Sequence, residues 1–511
     1  MSLGEASLGE ASLGAAAIRA KRAAAPWRVL VLALFALAGL ALLAERLQLA
    51  LARPLWLDET WTAAIVSPPS WAGFWREAWL DVNAPLYYLA MRGWTALFGL
   101  GDLTLRLPGL ILAPLAALLA WRAPGAALPA ASRWMWAGLV FFWWGCGQFL
   151  DGRCYALLFL LSVAQALVFV RLLRAPSLGA ASLWAAISSL TILCHYYALF
   201  IVAAQGLIYL GRERGQAART WPALAVFAPA LAWMAYHAPR IAEYGRPDVA
   251  WHPALNAGDA LGVAGFTLGA YCPYLSITVA AALAIVGGWA WSKKMLSPAG
   301  AGREAWWAAA AGLLALGLML ASAAAKPTLS PRYAIPIVPS ILLGVTLCAQ
   351  TLRWARILPA GLVAAYALFA LDPIHFRGVL DQGAPSPYGF EAGEAFLGAQ
   401  GVSDVTYLWD HPAAKIMDPG SLRRIGAVYF DQVGEVVTVR PIIAAQDQDP
   451  NRLLLAAARG PHPGVLWIYD RPGRTAAHDH PPRIDQLDPR WTCHTFGDGQ
   501  IGSVACARRG G

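Results

Sequence analysis

Pro54-Leu55-Trp56-Leu57-Asp58-Glu59-Thr60-Trp61 lies just past the first long apolar segment of the chain, residues 27–47. That segment can cross a bilayer, which takes about 20 apolar residues. Two adjacent carboxylates, Asp58 and Glu59, therefore lie among tryptophans near the point where a membrane helix reaches water. Charge at that depth is costly to desolvate and predicts a functional site. The alternative is that both carboxylates only solvate a helix end.

The composition indicates a polytopic membrane protein. Hydrophobic residues make up 58% of the 511 residues and charged residues only 14%, whereas soluble domains carry about 25% charged residues. The net charge of +9 does not indicate nucleic-acid binding, because most Lys and Arg separate apolar segments and mark topology. The sequence has no zinc-type Cys/His spacing, no phosphate-binding loop and no dinucleotide-binding glycine motif.

Basic connectors between apolar segments predict eleven membrane spans. The spans cover about residues 27–47, 105–121, 134–150, 154–172, 182–194, 197–211 and 220–238, then an eighth that follows an apolar stretch from Ala260 and ends at Lys293-Lys294, and then 305–324, 334–350 and 357–371. The connectors rich in Lys and Arg then fall on one side, which the positive-inside rule places in the cytoplasm. We expect residues 1–26 to be a disordered cytoplasmic tail and the loop at 48–104 to be external. A short apolar stretch at 86–100 predicts a helix lying on the membrane surface.

Residues 373–511 differ in composition, with more charge, Asp, Pro and His. Strand-length apolar runs occur at 405–409, 428–430, 436–439, 465–469 and 501–507, with helical candidates at 393–400 and 451–459. This alternation predicts a small external α/β domain after the membrane module of residues 27–372. Cys493 and Cys506 flank a Gly-Asp-Gly turn. If the domain is periplasmic, they could form a disulfide across that hairpin; the alternative is two free thiols.

On this topology, two kinds of polar group collect on the external face. The carboxylates are Asp58, Glu59, Asp81 and Asp151, and the cations are Arg106, Arg153, His195, Lys326 and Arg332. Arg and Lys at an interface are suited to a lipid phosphate. A carboxylate in an apolar setting can act as a general base. Together these groups predict transfer of a group from a lipid phosphate to an acceptor.

Individual residues in this set also have simpler explanations, which are local pairing or an interfacial position. These are an Arg106–Asp102 pair, an Arg153–Asp151 pair, a satisfied interfacial His195 and a Lys326 that extends to the membrane surface. At the level of function, a transporter or lipid flippase would also need basic groups near lipid phosphate. Such proteins usually show internal repeats, and this sequence shows none. A structural assembly subunit would not need Asp58 and Glu59 together with Arg153 and Lys326.

Five motifs follow one another in a fixed order. They are Leu57-Asp58-Glu59, Asn83-Ala84-Pro85-Leu86-Tyr87-Tyr88, Leu105-Arg106-Leu107-Pro108, Gln148-x-x-Asp151-x-Arg153-x-Tyr155-Ala156-Leu157 and His195-Tyr196-x-Ala198-Leu199-Phe200. In this order they resemble the family-39 glycosyltransferases, membrane enzymes of the GT-C type that include protein O-mannosyltransferases and lipid A aminoarabinose transferases. The resemblance covers roughly residues 27–350. It implies a bacterial inner-membrane enzyme with a polyprenyl-phosphate-linked sugar donor, an external active site and inversion at the anomeric carbon.

The resemblance also implies residue roles. Asp58 would be the catalytic base, and its neighbour Glu59 would position the base or the acceptor. The residues that would hold the donor phosphate are Arg106, Arg153, Lys326 and Arg332. The other substrate-binding candidates are Asp81, Asn83, Tyr87, Tyr88, Asp151, Tyr155, His195, Tyr196 and Tyr333. One motif departs from the family, because Asn83-Ala84-Pro85 stands where His-Pro-Pro is common.

The expected partners are the lipid-linked donor, a lipid, glycan or protein acceptor, and the membrane lipids. We expect no organic cofactor. Asp58, Glu59 and Asp151 could bind a divalent cation through oxygen ligands.

Overall fold

A computed structural model describes residues 30–52, 55, 57–123, 127–143, 148–246, 249, 254–269, 302–351, 358–371, 390–402, 404–410, 416–432, 438–444, 450–470, 483–497 and 501–509. The predictions for the basic tail and for most of the eighth span fall outside these residues. So does the connection at 372–389 between the membrane helices and the C-terminal α/β unit.

The first part of the chain is a long apolar helix followed by three short ones. α1 (Leu30–Ala52) leads into α2 (Leu57–Val66), α3 (Trp71–Leu80) and α4 (Leu86–Phe98). Ser70 caps the N-terminus of α3 through its side chain, as serine commonly does. The predicted external loop at 48–104 is therefore largely helical. α4 confirms a helix in the stretch that the sequence assigned to the membrane surface.

The helical bundle continues to residue 371. Its helices are α5 (Asp102–Trp121), α6 (Ala130–Phe142), α7 (Tyr155–Arg174), α8 (Leu178–Cys194), α9 (Ala198–Arg212), α10 (Arg214–Thr220), α11 (Ala228–Tyr244), α12 (Ala257–Thr267), α13 (Arg303–Ala325), α14 (Val338–Thr351) and α15 (Leu358–Leu371). Two 3-10 helices, Trp221–Phe227 and Pro331–Ile337, lead into α11 and α14. α7 packs against both α5 and α8, while α13 packs against α9 and α14.

Helix length and composition indicate a multi-pass membrane protein. Five helical segments among the described residues are long and apolar enough to cross a membrane: Leu30–Ala52, Asp102–Trp121, Tyr155–Arg174, Arg303–Ala325 and Pro331–Gln350. Their outward faces carry leucines such as Leu40 and Leu313, which are 64% and 65% exposed. α8 and α9 are apolar but shorter. The total of eleven spans stays a prediction.

α11 corrects the external loop predicted after residue 238, because the helix continues through Tyr244. Arg240 Nε and the Tyr244 hydroxyl donate to the carbonyl of Leu80 at 3.0 and 3.2 Å, and His237 Nε2 lies 2.9 Å from the carbonyl of Trp79. These carbonyls belong to the last turn of α3, where helical partners are missing. The added turn of α11 therefore holds the end of α3.

The C-terminal residues form an α/β unit around one sheet. Its elements are α16 (Phe390–Ala399), β1 (Asp404–Asp410), α17 (Pro419–Gln432), β2 (Thr438–Ala444), α18 (Pro450–Arg459), β3 (Gly464–Asp470), β4 (Trp491–Gly497) and β5 (Ile501–Arg508). The strand order is β2-β1-β3-β5-β4. β1 is parallel to both of its neighbours, β2 and β3. β5 is antiparallel to both of its neighbours, β3 and β4. Cys493 and Cys506 face each other across β4 and β5 and form the predicted disulfide.

Most strand and helix predictions for this unit are confirmed, but the strand predicted at 428–430 is wrong. These residues lie in α17. Leu422 and Ile425 are fully buried in the core of the α/β unit, and Val428 packs against the core of the membrane helices. The three recur at helical spacing, whereas an apolar run of three residues fits either type of element. The strand predicted at 436–439 is confirmed at Thr438 and Val439, which lie in β2, and its first two residues fall outside the described residues.

Candidate functional site

Three parts of the chain meet where α2 begins. α2 carries Asp58 and Glu59 in its first turn. The loop between α6 and α7 reaches them through Gly152 and Arg153, and the segment that leads into α14 reaches them through Arg332. The sequence placed these residues on one side of the membrane, and the structure brings them into direct contact.

Glu59 and Arg106 form a buried bidentate ion pair. Arg106 Nε and Nη2 donate to Glu59 Oε1 and Oε2 at 2.8 and 2.5 Å, and the two side chains are 5% and 1% exposed. The N–H of Gly152 donates to the same Oε1 at 2.8 Å, and Arg106 Nη1 donates to the carbonyl of Ala50 at 3.1 Å. This pair ties α1, α2, α5 and the α6–α7 loop together, so both oxygens of Glu59 are engaged in holding the site.

Asp58 has a more open position and a different partner. Its Oδ2 lies 3.1 Å from Arg332 Nη2, with side-chain exposures of 24% and 26%. Arg153 Nη1 donates to the main-chain carbonyl of Asp58 at 3.0 Å. The guanidinium carbon of Arg332 lies 5.9 Å from the centre of the Tyr155 ring and 6.0 Å from that of Tyr333. The Asp58 carboxylate thus faces Arg332, its main-chain carbonyl is bound by Arg153, and Arg332 in turn lies beside two aromatic rings.

Asp151 lies half-buried next to these carboxylates. Burial and repulsion by Glu59 and Asp58 raise its pKa to about 8, although Arg332 opposes the shift. The carboxyl group is therefore largely protonated at neutral pH, so it can donate a hydrogen bond rather than attract a cation. The sequence offered an ion pair between the side chains of Asp151 and Arg153. The contact that the structure shows between these two residues is a main-chain hydrogen bond, in which the N–H of Arg153 donates to the carbonyl of Asp151 at 2.6 Å.

His195 is a neutral member of the site rather than one of its cations. Burial and the neighbouring Arg153 and Arg332 lower its pKa to about 3. The N–H of Tyr197 donates to His195 Nδ1 at 3.3 Å, and the ring centre lies 5.1 Å from that of Tyr333. His195 therefore adds no positive charge to the site, and its ring lies among the rings of Tyr155, Tyr197 and Tyr333. Its role in substrate binding stays a prediction.

Asp81 organises a second buried polar cluster. Its Oδ2 accepts hydrogen bonds from the Asn83 N–H at 3.1 Å, from Asn83 Nδ2 at 2.9 Å and from the Tyr88 hydroxyl at 2.6 Å. The buried Tyr87 ring lies 5.8 Å from that of Tyr88. Asn83, which stands at the departure from the family motif, thus fixes the turn between α3 and α4.

Two further candidates contact neighbouring helices. The Tyr196 hydroxyl lies 2.6 Å from His237 Nδ1 and accepts from Trp233 Nε1 at 2.8 Å, which places it in the contact with α11. Lys326 is exposed, and its Nζ lies against Gly245 at the end of α11. A phosphate-binding role for Lys326 stays a prediction.

Two glycines outside the predicted set allow the α6–α7 loop to approach. A Cβ at Gly109, in α5, would overlap the carbonyl oxygen of Phe149. A Cβ at Gly152 would lie 3.2 Å from the Cβ of Leu105 and 3.6 Å from Glu59 Oε1. A glycine inside an apolar helix can mark such a close approach, and this was the available sequence signal for Gly109.

The three carboxylates offered as a cation site have other partners. Glu59 binds Arg106, and Asp58 faces Arg332. Within the described ranges, no group of three or more His, Cys, Asp or Glu side chains is arranged to hold a metal ion. Binding of a divalent cation stays a prediction.

The fold is similar to that of crystal structures of ArnT from Cupriavidus metallidurans, one in the apo state and one bound to undecaprenyl phosphate. Each is 13% identical to this chain, with a TM-score of 0.52, and covers 94% of this chain and 98% of the ArnT chain. No family model and no curated protein matches the sequence. The resemblance seen in the motifs is thus confirmed at the level of the fold.

Proposed function

We propose that this protein is an inverting membrane glycosyltransferase. It moves a sugar from a polyprenyl-phosphate-linked donor to a lipid, glycan or protein acceptor on the external face of the bacterial inner membrane. The observation that carries the proposal is the placement of the half-buried Asp58, whose carboxylate faces Arg332 and whose main-chain carbonyl is bound by Arg153, next to the buried Glu59–Arg106 pair. The ArnT structure with bound undecaprenyl phosphate supports the class of donor.

The site residues divide the reaction between them. Asp58 takes the proton from the attacking acceptor group, and the acceptor oxygen or nitrogen bonds to the anomeric carbon as the bond to the phosphate oxygen breaks. Arg332 and Arg153 stabilise the phosphate that leaves, since guanidinium groups match phosphate in geometry and charge. Glu59 and Arg106 fix the turn that carries Asp58. Tyr155, Tyr333 and the neutral His195 form the wall beside the sugar.

The contact between Arg332 and Asp58 suggests how the base becomes active. Arg332 lies 3.1 Å from the Asp58 carboxylate, and a guanidinium also matches a phosphate in geometry and charge. A donor phosphate would therefore compete with Asp58 for Arg332. Donor binding would free the Asp58 carboxylate from this contact at the moment when an acceptor can react.

The proposed topology places the site outside, with a cytoplasmic N-terminus and an external domain at residues 373–511. The Cys493–Cys506 disulfide supports this orientation, since such bonds persist in oxidising compartments. Reporter fusions after Lys294 and after Gly511 should report opposite sides of the membrane. Fusions that both report the same side would contradict the proposed topology.

The function is tested with purified protein in lipid nanodiscs and isotope-labelled undecaprenyl-phosphate sugars. Mass spectrometry of lipids and surface glycans from a deletion strain first identifies the missing product, and that product selects the acceptor. We expect transfer by the parent protein and by Asp488→Asn, a matched change in an exposed pair with Arg490, and a large loss in Asp58→Asn. Movement of the donor across the bilayer without transfer would instead support a flippase.

A further inference from the structure

α2 takes part in two hydrophobic cores at once. Ala63, Ile65 and Val66 are buried in the core of the membrane helices. Ala64 is buried in the core of the α/β unit, and Trp61 packs against it. The helix with Asp58 and Glu59 at its start is thus held on one face by the membrane module and on the other by α17 of the C-terminal domain.

A buried carboxylate on the next helix fastens the same interface. Glu77, in α3, is only 4% exposed. Its Oε2 accepts from the Ser421 hydroxyl at 2.5 Å, and Arg424 forms an ion pair with its Oε1. Arg76 Nη1 also donates to Oε1, at 3.0 Å. Removing one partner of a buried ion pair strongly destabilises the folded protein, because the remaining charge stays buried without compensation.

The direction of α17 favours this contact. Asp418 accepts the N–H of Ser421 at 3.0 Å, which is the arrangement of an N-cap residue and the third residue of a helix. Hydrogen bonds from Ser421 and the Arg76 charge lower the pKa of Asp418, although burial opposes them. Ser421 lies in the first turn of α17, and its hydroxyl donates to Glu77. The N-terminus of α17 is therefore close to Glu77, and a helix N-terminus attracts negative charge.

We infer that the C-terminal domain is a positioning element of the proposed active site, packed against α2 through Ala64 and Trp61 and fastened to the neighbouring α3 by the contacts of Glu77 with Ser421 and Arg424. This inference rests on the proposed function. α2 has only ten residues, and a helix that short is marginal without packing partners. A catalytic group has to be held within about 0.5 Å of its working geometry. Loosening α17 would thus misplace Asp58 while the arginines that bind phosphate stay in the membrane module.

The test compares Glu77→Gln and the milder Ser421→Ala with the parent. Turnover is measured at saturating donor, donor affinity by titration, and backbone exchange by hydrogen–deuterium mass spectrometry. For Glu77→Gln we expect turnover to fall about tenfold or more, as for loss of a buried charged hydrogen bond, with donor Kd nearly unchanged. Backbone hydrogen–deuterium exchange should rise together in α2 (residues 57–66) and α17 (residues 419–432). It should stay constant in β3, which serves as the internal reference. Ser421→Ala should shift the same quantities less.

A second arm uses the ion pair itself. Because Arg424→Gln and Glu77→Gln remove the same contact, their double variant should lose about as much turnover as the worse single variant, rather than the product of both losses. Arg490→Gln, which removes an exposed pair in the same domain, is the control and should resemble the parent.

Two results would overturn the inference. One is unchanged exchange at 57–66 when exchange at 419–432 has risen. The other is turnover within about twofold of the parent in a variant whose α17 has been loosened. A parent protein that transfers no sugar would count against the proposed function alone, and the exchange data would then decide the inference without turnover.

Discussion

Asp58 and Glu59 are neighbours in the chain, and each faces an arginine, yet the two pairs differ in every physical respect. Glu59 meets Arg106 through two hydrogen bonds with almost no exposure, whereas Asp58 meets Arg332 through one contact with about a quarter of each side chain exposed. The buried pair connects α2 to α5. The half-buried pair connects α2 to the segment that leads into α14.

The difference teaches which pair can take part in chemistry. Removing one partner of a buried pair costs about 3–5 kcal/mol, because the other charge stays without compensation. The Asp58–Arg332 pair keeps about a quarter of each side chain in solvent, so a substrate can separate it at a lower cost than a fully buried pair. The Glu59–Arg106 pair is therefore suited to a fixed frame, and the Asp58–Arg332 pair to exchange with a substrate.

The largest expected effect is on turnover in Asp58→Asn. The amide keeps the shape but cannot accept the proton, and loss of a general base lowers rates about a hundredfold to ten-thousandfold. Folding should be preserved, because the pair that is lost keeps part of its contact with solvent and the amide keeps the shape of the side chain. Transfer is measured at saturating donor with Asp488→Asn as the matched control. Turnover within a few-fold of the parent would return Asp58 to the role of a helix-end residue, since Asn caps helices about as well as Asp.

The next effect is on stability in Glu59→Gln. We expect a loss of about 3–5 kcal/mol, because Arg106 stays buried without its counter-charge. The change is measured as a lower thermal midpoint and lower yield in detergent. Arg106→Gln combined with Glu59→Gln should recover part of the loss, since the pair is then neutral. A Glu59→Gln protein as stable as the parent would show that the two pairs do not differ as argued.

A smaller effect is expected on donor affinity in Arg332→Gln. One charge-assisted hydrogen bond contributes about 1.5–3 kcal/mol, so donor Kd should rise about tenfold or more while the thermal midpoint stays near that of the parent. Titration with the polyprenyl-phosphate donor measures this. Lys326→Gln, tested alongside, should show a loss of similar size if Lys326 shares the phosphate role. Unchanged affinity in Arg332→Gln would exclude it as a phosphate ligand.

The last prediction concerns pH and Asp151, and it leaves both ion pairs intact. Its pKa is about 8 in the folded protein and about 4 in an unfolded chain. Between these values the folded state keeps a proton that the unfolded state has lost, so this group makes stability fall as pH rises and has no further effect above pH 8. The thermal midpoint of the parent should therefore drop more between pH 5 and pH 8 than that of Asp151→Asn. Parallel curves for the two proteins would contradict a raised pKa.

The sequence by itself determined the membrane character, the order of the motifs and the α/β nature of the last part. These follow from local properties: long apolar runs, alternating short strands and helices, and a cysteine pair around a turn. The helix at 428–430 was missed because three apolar residues carry no distinguishable period. The extension of α11 to Tyr244 was missed because its support comes from carbonyls of α3, distant in the chain.

Only the tertiary structure distinguished the role of Asp58 from that of Glu59. Asp58 and Glu59 are adjacent and chemically alike, so no local pattern separates them. Their difference comes from Arg106 in α5, Gly152 in a loop and Arg332 before α14, which lie between about 45 and 275 residues away in the chain. The same holds for Glu77, whose partners Ser421 and Arg424 belong to another domain-sized unit. Burial and charge pairing are properties of the assembled fold. They hold the Glu59–Arg106 pair in place and leave Asp58 as the carboxylate that can react.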